Sequence, residues 1–254
     1  MKMKNRIDKF ITVLFFIILN IVSKSETMIP IPKIDIGVGV ASGPEEVVTS
    51  LQILMLLTVL TLAPAIIMMT TSFIRTIIVL HFVRQAIGVQ QLPPNQILIG
   101  LALFLTFFIM QPTINQMMET GVTPYLDKKI SQEEMFRNVE IPLKTFMLKQ
   151  TKIKDLELFL KISKVKPPKN RREIPLSVVL PAFVVSELTR GFQVGIILFI
   201  PFIIIDMIVA TVLMSLGMMM LPPAMISLPF KLLLFVMVDG WSLIIESLVL
   251  SFQT

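Results

Sequence analysis

The stretch "MIVATVLMSLGMMMLPPAMISLPF", residues 207–230, carries no charge and has a turn in its middle. The turn is "GMMMLPP", residues 217–223, where three consecutive methionines lie between a glycine and a Pro-Pro pair. Glycine commonly ends a helix, and proline follows the end of one helix or begins the next. This stretch therefore predicts two apolar helices joined by a methionine-rich turn.

Two more uncharged runs, residues 51–74 and 97–118, are long enough for membrane helices, which need about twenty apolar residues. A further apolar segment from Leu232 onward is interrupted by Asp239 and Glu246. The chain is 54% hydrophobic and only 16% charged, with a mean hydropathy of +0.83. The predicted fold class is therefore all-α: an integral membrane protein of two long helical hairpins with a small helical domain between them.

The predicted hairpins pair residues 51–74 with 97–118 and residues 178–217 with 225–252. As domains, residues 51–118 form the first hairpin, 119–177 the helical insert, and 178–254 the second hairpin with its methionine-rich loop. The two hairpin turns, "GVQQLPP" at 88–94 and "GMMMLPP" at 217–223, share the pattern G-x-x-x-L-P-P. This similarity indicates either an internal duplication or only the common preference of helical turns for glycine and proline.

The N-terminus has the pattern of a secretory signal peptide. A basic segment, "MKMKNRIDK", precedes the apolar "FITVLFFIILNIV", and Ser23 and Ser25 supply the small residues of a cleavage site. We expect residues 1–25 to be a cleaved signal peptide and residues 26–50 an extended leader outside the cytoplasm. The alternative is an uncleaved anchor helix.

The charge distribution predicts which side of the membrane each connection occupies. The segment between the first two spans carries Arg75 and Arg84 and no acidic residue, which favours the cytoplasmic side. The insert is rich in lysine, but an exported N-terminus and an even number of crossings place it outside. Within the insert, Ser131 and Glu134 predict a capping box that opens a short helix, and Pro142 suits the first turn of the next helix. The following "FMLKQTKIKDLELFLKI", residues 146–162, has helical periodicity.

Charged residues within the apolar segments are candidate functional residues, because charge is costly in a membrane. They are Glu187, Arg190, Asp206, Lys231, Asp239 and Glu246. Glu187 and Arg190 are three residues apart and can pair along one helix face. Asp206 and Lys231 lie at similar depth on opposite arms of the second hairpin, since a helix rises about 1.5 Å per residue. Such a pair would either lock the hairpin or relay protons or ions, and the sequence leaves both roles open.

Enzymatic chemistry has no support in the sequence. The chain has no cysteine and one histidine, His81, which we assign to the cytoplasmic connection without a catalytic role. No zinc-protease, nucleophile-elbow, phosphate-loop, dinucleotide or EF-hand motif occurs, so no cofactor or metal is expected. The net charge of +6 is concentrated in one polar segment, which for a membrane protein indicates topology or lipid contact rather than nucleic acid. The methionine triplet fits either apolar gap-filling or a pore lining.

Seven long segments follow one another along the chain: "TSFIRTIIVLHFVRQAIG", "PPNQILIGLALFLTFFIMQP", "FMLKQT", "LPAFVVSEL", "GFQVGIILFIPFIIID", "LMSLGMMMLPP" and "LPFKLLLFVMVDGWSL". In sequence and in order they resemble the FliP/SctR family of type III secretion export-gate proteins. The resemblance runs from about Leu51 to Phe252. The signal peptide favours the flagellar branch of the family over the virulence injectisome branch.

The resemblance implies a non-enzymatic subunit of a homo-oligomeric ring. With FliQ, FliR and further export-apparatus membrane proteins, the ring would pass unfolded flagellar cargo through the bacterial inner membrane at the flagellar basal body. It implies that Met218, Met219 and Met220 line the channel as a gasket, and that Phe146 and Phe159, with Glu187 nearby, contact neighbouring subunits. It also implies a gate largely above the membrane plane. The alternatives are a small-solute or ion transporter and a membrane scaffold.

Overall fold

The structure is a computed structural model that describes residues 44–89, 92–164, 170–218 and 220–253. These residues form helices and turns, with no strand in the described ranges, and this confirms the all-α fold class. The described residues up to Ile53 are helical, and residues from Leu54 onward form one compact unit. The predicted signal peptide, residues 1–25, and most of the predicted leader lie outside the described residues.

The helices differ widely in length. In chain order they are α1 (Pro44–Thr70), α2 (Phe73–Ile87), α3 (Asn95–Met117), α4 (Thr123–Leu126), α5 (Gln132–Gln150), α6 (Ile153–Ser163), α7 (Leu176–Ser215), α8 (Pro223–Met237) and α9 (Gly240–Leu250). A π-helical turn, Met118–Val122, joins α3 to α4, and a 3-10 turn, Arg171–Glu173, precedes α7. Within the described residues, α1, α3 with its extension to Leu126, and α7 are long and apolar enough to cross a membrane, and the bent pair α8 and α9 makes a possible fourth span.

The segment between the first two predicted spans is a helix, not the loop that its two arginines indicated. Helix α2 is buried along one side, at Val79, Leu80 and Val83. The turn is confined to the residues after Gly88, whose left-handed conformation (φ +81°) ends α2 with its N–H donating to the Arg84 carbonyl at 3.3 Å. Helix α1 also begins at Pro44, so the predicted leader is too long at its C-terminal end.

Helix α2 packs closely along α7 because α7 offers two small residues four apart. A side-chain carbon built on Gly195 would lie 2.3 Å from the ring of Phe82, and one on Gly191 would lie 3.0 Å from Ile78. The Phe82 ring also meets Phe192 edge to face, with 5.5 Å between centroids. Glycines at this spacing let two helix backbones approach closely, and this contact aligns the two hairpins.

The insert differs from its prediction at Pro142. The capping box at Ser131 and Glu134 is present, but the helix it opens continues through Pro142 to Gln150. Proline has no N–H and so frees the carbonyl four residues earlier, that of Asn138. The Thr120 hydroxyl, from the π-helical turn, lies 3.4 Å from this carbonyl but donates its proton to the Gln116 carbonyl at 2.7 Å. The Asn138 side chain donates to the Thr120 carbonyl at 3.0 Å, which holds α5 on the π-helical turn one helical turn before the proline. The first break comes later, at Thr151, which is extended.

The second hairpin has one very long arm and one bent arm. Helix α7 has 40 residues, a length of about 60 Å and about twice the thickness of a bilayer core. Its predicted bounds were correct within two residues. The returning arm was predicted as continuous over residues 225–252, but it bends by 62° between α8 and α9, where Asp239 has a left-handed backbone (φ +49°).

The buried side chains form three apolar clusters. The largest joins α2, α3, α7, α8 and α9 and includes Val83, Leu105, Phe202, Phe235 and Leu248. A second joins the insert to the start of α7, and a small third lies between α2 and α3. In contrast, most apolar side chains of α1 and of the C-terminal half of α7 are exposed. The apolar core therefore extends along α7 as far as Phe202, and most apolar side chains of the second hairpin nearer its methionine turn are exposed.

Candidate functional site

A buried ion pair lies where the insert meets both hairpins. Arg75 of α2 and Glu187 of α7 are almost completely buried, with side-chain exposures of 2% and 0%. Arg75 Nε donates to Glu187 Oε2 at 2.8 Å, and its Nη2 donates to the other carboxylate oxygen, so that the pair is bidentate. This two-point geometry suits a guanidinium and fixes the relative orientation of the two helices.

The remaining donors of Arg75 are also satisfied by the protein. Its Nη2 donates to Gln150 Oε1 at 3.0 Å, and its Nη1 donates to the carbonyl and the hydroxyl of Ser251 at 3.1 and 3.0 Å. The guanidinium carbon lies 3.7 Å from the centre of the Phe252 ring. One side chain thus binds α5, α7 and the segment that follows α9.

Glu187 has a different partner from the one its local sequence indicated. Arg190, three residues along α7, is half-buried and donates from Nη1 to Gln150 Oε1 at 2.9 Å. The carboxylate of Glu187 contacts Arg75, 112 residues away in the chain. Sequence reasoning missed Arg75 because it had assigned that residue to a cytoplasmic loop. A guanidinium directly after an apolar run was the available signal.

A second buried polar contact lies beside this pair. Ser186 Oγ donates to Asp155 Oδ2 at 2.7 Å and accepts the backbone N–H of Lys152 at 3.0 Å. Ser186 is fully buried and Asp155 nearly so. This contact anchors the start of α6 on α7, so the insert is held on α7 at two adjacent residues, Ser186 and Glu187.

The structure brings Asp206 and Lys231 together across the second hairpin. Lys231 Nζ binds Asp206 Oδ2, and the buried Ser227 hydroxyl donates to Asp206 Oδ1. The Lys231 side chain is 8% exposed and that of Asp206 is 37% exposed. A carbon built on Gly88 would lie 3.8 Å from Lys231 Nζ, so the turn of the first hairpin also reaches this pair.

The other two charges predicted within membrane segments lie elsewhere. Asp239 is exposed at the bend between α8 and α9, and Glu246 is exposed on α9. Neither takes part in an ion pair within the described parts of the chain. Asp239 therefore joins no buried charge pair here; its role in the backbone is the left-handed residue before α9.

The methionine turn projects from the end of the second hairpin. Helix α7 ends with Met218 N–H donating to the Leu213 carbonyl at 3.0 Å, and Gly217 has a left-handed backbone (φ +74°) that favours glycine. Met218 is 44% exposed and Met220 is 98% exposed. Met219 lies outside the described residues. The two described methionines therefore offer their thioethers to the surroundings instead of filling the core.

Phe146 and Phe159 both belong to the insert and are half-buried. Phe146 on α5 meets Phe183 edge to face at 5.9 Å and stacks on Phe252 at 6.4 Å. Phe159 on α6 packs against the apolar cluster between the insert and α7. Each ring therefore has one side in the core and another accessible.

His81 lies on α2, half-buried, with Nδ1 3.1 Å from Arg84 Nη2. Burial, and then the charge of Arg84, lower the pKa of His81 from its ordinary value. A neutral ring can accept the hydrogen bond from Arg84, which also binds the carbonyl of Pro93 at 3.3 Å. The histidine thus supports the first hairpin turn.

Comparison with known proteins decides the family. The model of the FliP family matches residues 56–248, which is most of the chain. The chain belongs to the FliP family. The flagellar biosynthetic protein FliP of Bacillus subtilis (strain 168) is 55% identical over 212 residues, or 84% of this chain and 96% of that protein.

Two further FliP proteins show the same extent of similarity. The flagellar biosynthetic protein FliP of Caulobacter vibrioides is 53% identical over 220 residues, covering 87% of this chain and 82% of its own length. That of Aquifex aeolicus is 49% identical over 225 residues, covering 88% of this chain and 92% of its own length. The Arg75–Glu187 pair, the Asp206–Lys231 pair and the methionine turn all lie within the range that the FliP family model matches.

Proposed function

We propose that this chain is a non-enzymatic core subunit of the flagellar type III protein export gate. Copies of it form a ring that, with FliQ, FliR and further export-apparatus membrane proteins, passes unfolded flagellar subunits across the bacterial inner membrane. The match of residues 56–248 to the FliP family carries this proposal. The relatives named above are flagellar proteins, which supports the flagellar system over a virulence injectisome.

In this proposal Met218, Met219 and Met220 form the gasket of the channel. The exposure of Met218 and Met220 at the tip of a hairpin supports this role, because copies in a ring would bring their tips together. A ring of thioethers excludes water and ions by dewetting. Methionine is also unbranched and flexible, so the ring can open around varied cargo and close again.

The insert, residues 119–177, is the extracytoplasmic domain of the proposal, and residues 1–25 are its cleaved signal peptide. Phe146 and Phe159 are the proposed subunit contacts, since each has an accessible side on the insert. The length of α7, about twice a bilayer core, supports a gate that extends above the membrane plane. N-terminal sequencing of the mature protein would test the cleavage site.

The gasket is tested by replacing all three turn methionines with alanine in cells that lack the native protein. We expect the ring to assemble and copurify with FliQ and FliR, while the inner membrane becomes permeable to small ions, measured as slowed growth and loss of membrane potential. A smaller apolar side chain leaves an open gap where the thioethers met.

The matched control is a triple replacement of Met207, Met225 and Met237, which are also exposed but lie on helices α7 and α8. This variant should stay sealed. An intact ring with no increase in ion leak after replacement of the turn methionines would contradict the gasket. Purification of the chain as a monomer with solute flux would instead favour a transporter.

A further inference from the structure

The segment that follows α9, residues 251–253, is bound by side chains from distant parts of the chain. Three successive carbonyls each accept a hydrogen bond. Arg75 Nη1 donates to Ser251 at 3.1 Å, Gln150 Nε2 to Phe252 at 3.0 Å, and Lys149 Nζ to Gln253 at 3.3 Å. The N–H groups of residues 251–253 already satisfy the last carbonyls of α9, those of Ser247, Val249 and Leu250. The carbonyls of residues 251–253 are therefore the ones that need donors from elsewhere, and these side chains supply them.

The ring of Phe252 lies in a socket formed by the Arg75 guanidinium of α2 and the Phe146 ring of α5. Phe252 is 6% exposed, and its ring lies under the Arg75 guanidinium and stacks on Phe146 with an interplanar angle of 18°. A cation over a shielded aromatic face adds to the attraction of apolar burial. The segment is therefore held by a buried side chain as well as by its backbone.

The socket is complete only because Arg75 is held from its opposite side. Glu187 binds Nε and Nη2 of Arg75, which leaves Nη1 directed at Ser251. Gln150 takes part on both sides, because its Oε1 accepts from Arg75 while its Nε2 donates to Phe252. The orientation of the ion pair thus determines whether the segment has its donors.

We infer that residues 251–253 are a latch that docks the end of the second hairpin on the insert, with Arg75 as the residue that positions it. The latch gives Glu187 an intramolecular role, because its buried carboxylate orients Arg75. The Phe252 ring of the latch also packs against Phe146 of the insert. It rests on these contacts alone and is independent of the export function.

The absence of cysteine from the chain allows a direct test by thiol crosslinking. Lys149 and Gln253 are exposed and in contact, so a chain carrying Lys149→Cys and Gln253→Cys should be joined within one molecule by a short bifunctional thiol reagent. The reaction is done on membranes from cells that express the full chain. A protease site placed between residues 164 and 170 reports the crosslink as two fragments that stay together.

Two variants test what holds the latch. Arg75→Gln and Phe252→Ala should each reduce the crosslinked fraction severalfold, and Phe252→Ala does so while leaving the Arg75–Glu187 pair intact. Arg190→Gln is the matched control, since Arg190 donates to Gln150 but does not touch the segment; its crosslinked fraction should equal that of the parent. An unchanged crosslink in Phe252→Ala would overturn the latch.

Co-expression of two differently tagged chains, each with one cysteine, separates a latch within a chain from an exchange between chains. We expect no crosslink between the two tags. A crosslink between them would overturn the intramolecular assignment. Failure of the double-cysteine parent to crosslink, in membranes where the chain resists trypsin, would overturn the docking itself.

Discussion

The Arg75–Glu187 and Asp206–Lys231 ion pairs differ in how completely the protein surrounds them. Arg75 and Glu187 are almost completely buried, with side-chain exposures of 2% and 0%. In the other pair, the Lys231 side chain is nearly buried but that of Asp206 is 37% exposed. In the first pair, Arg75 also donates hydrogen bonds to α5 and to the segment after α9. The second has Ser227 as its further partner in the described structure.

The more deeply buried ion pair is also the one that joins more structural elements. A guanidinium has five donors, and a closed site can satisfy them only by recruiting several elements. An ammonium with one half-exposed carboxylate needs fewer partners, and the side-chain hydrogen bonds of this site in the described structure join the two arms of one hairpin. The Arg75–Glu187 pair is thus placed to hold the domains together, and the Asp206–Lys231 pair to hold one hairpin.

The largest expected effect comes from breaking the closed pair on one side. Glu187→Leu leaves a buried guanidinium without its counter-ion, which costs about 3–5 kcal/mol in buried pairs. We expect a large fall in the apparent midpoint of thermal unfolding in detergent, and low protein levels in cells. Combining it with Arg75→Met should recover much of the loss, because two apolar side chains need no partner.

Arg190→Gln provides the control for this comparison. Arg190 is half-buried and binds Gln150 without an ion pair to Glu187, so its loss should change the unfolding midpoint far less than Arg75→Gln. Equal losses in the two variants would show that both arginines neutralise Glu187, against the geometry described.

A smaller effect is expected at the half-open pair. Asp206→Ala leaves the Lys231 ammonium without its anion, but the protein encloses this site less than the Arg75 site, so we expect a loss of about 1–3 kcal/mol. If the pair only locks the hairpin, the double variant Asp206→Ala, Lys231→Met should be more stable than Asp206→Ala alone. Additive losses in unfolding midpoint would contradict a direct pair.

The smallest effect is expected from Ser227→Ala. The change removes one hydrogen bond to a carboxylate that keeps Lys231 as a partner, at a cost of about 1 kcal/mol. Ser215→Ala is the control, since the Ser215 hydroxyl is exposed and binds only the Val212 carbonyl of its own helix. A drop in the midpoint as large as that of Asp206→Ala would make Ser227 the main anchor of the site.

These two pairs also show what a sequence can reveal. Asp206 and Lys231 lie on two helices joined by a short turn, so helical rise alone brings them to the same depth. Arg75 and Glu187 are 112 residues apart and belong to different hairpins. No local periodicity relates them. The spacing of residues along one helix face therefore predicted Arg190, three residues from Glu187, as the partner.

Tertiary contacts explain the errors in the fold as well. Arg75 made α2 resemble a polar loop, because the carboxylate that neutralises it lies in a distant segment. Pro142 predicted a helix start, because the contact that holds the helix next to it, from the Asn138 side chain to the Thr120 carbonyl, is made with another element. The glycine turns at Gly88 and Gly217 were predicted correctly, since their signals are local. The partner of α3 was not: in the described structure α3 packs on α2, and not on α1, which contains most of the predicted partner, residues 51–74.

The central functional claim is that the methionine turn lines the path of the exported chain. It is tested most directly by stalling a flagellar cargo in the gate and probing single cysteines at Met218, Met220 and, as control, Phe104, which is exposed on α3. We predict cargo crosslinks at the two turn positions and none at Phe104. A loaded gate that gives no crosslink at the turn, or equal crosslinks at all three positions, would contradict the account.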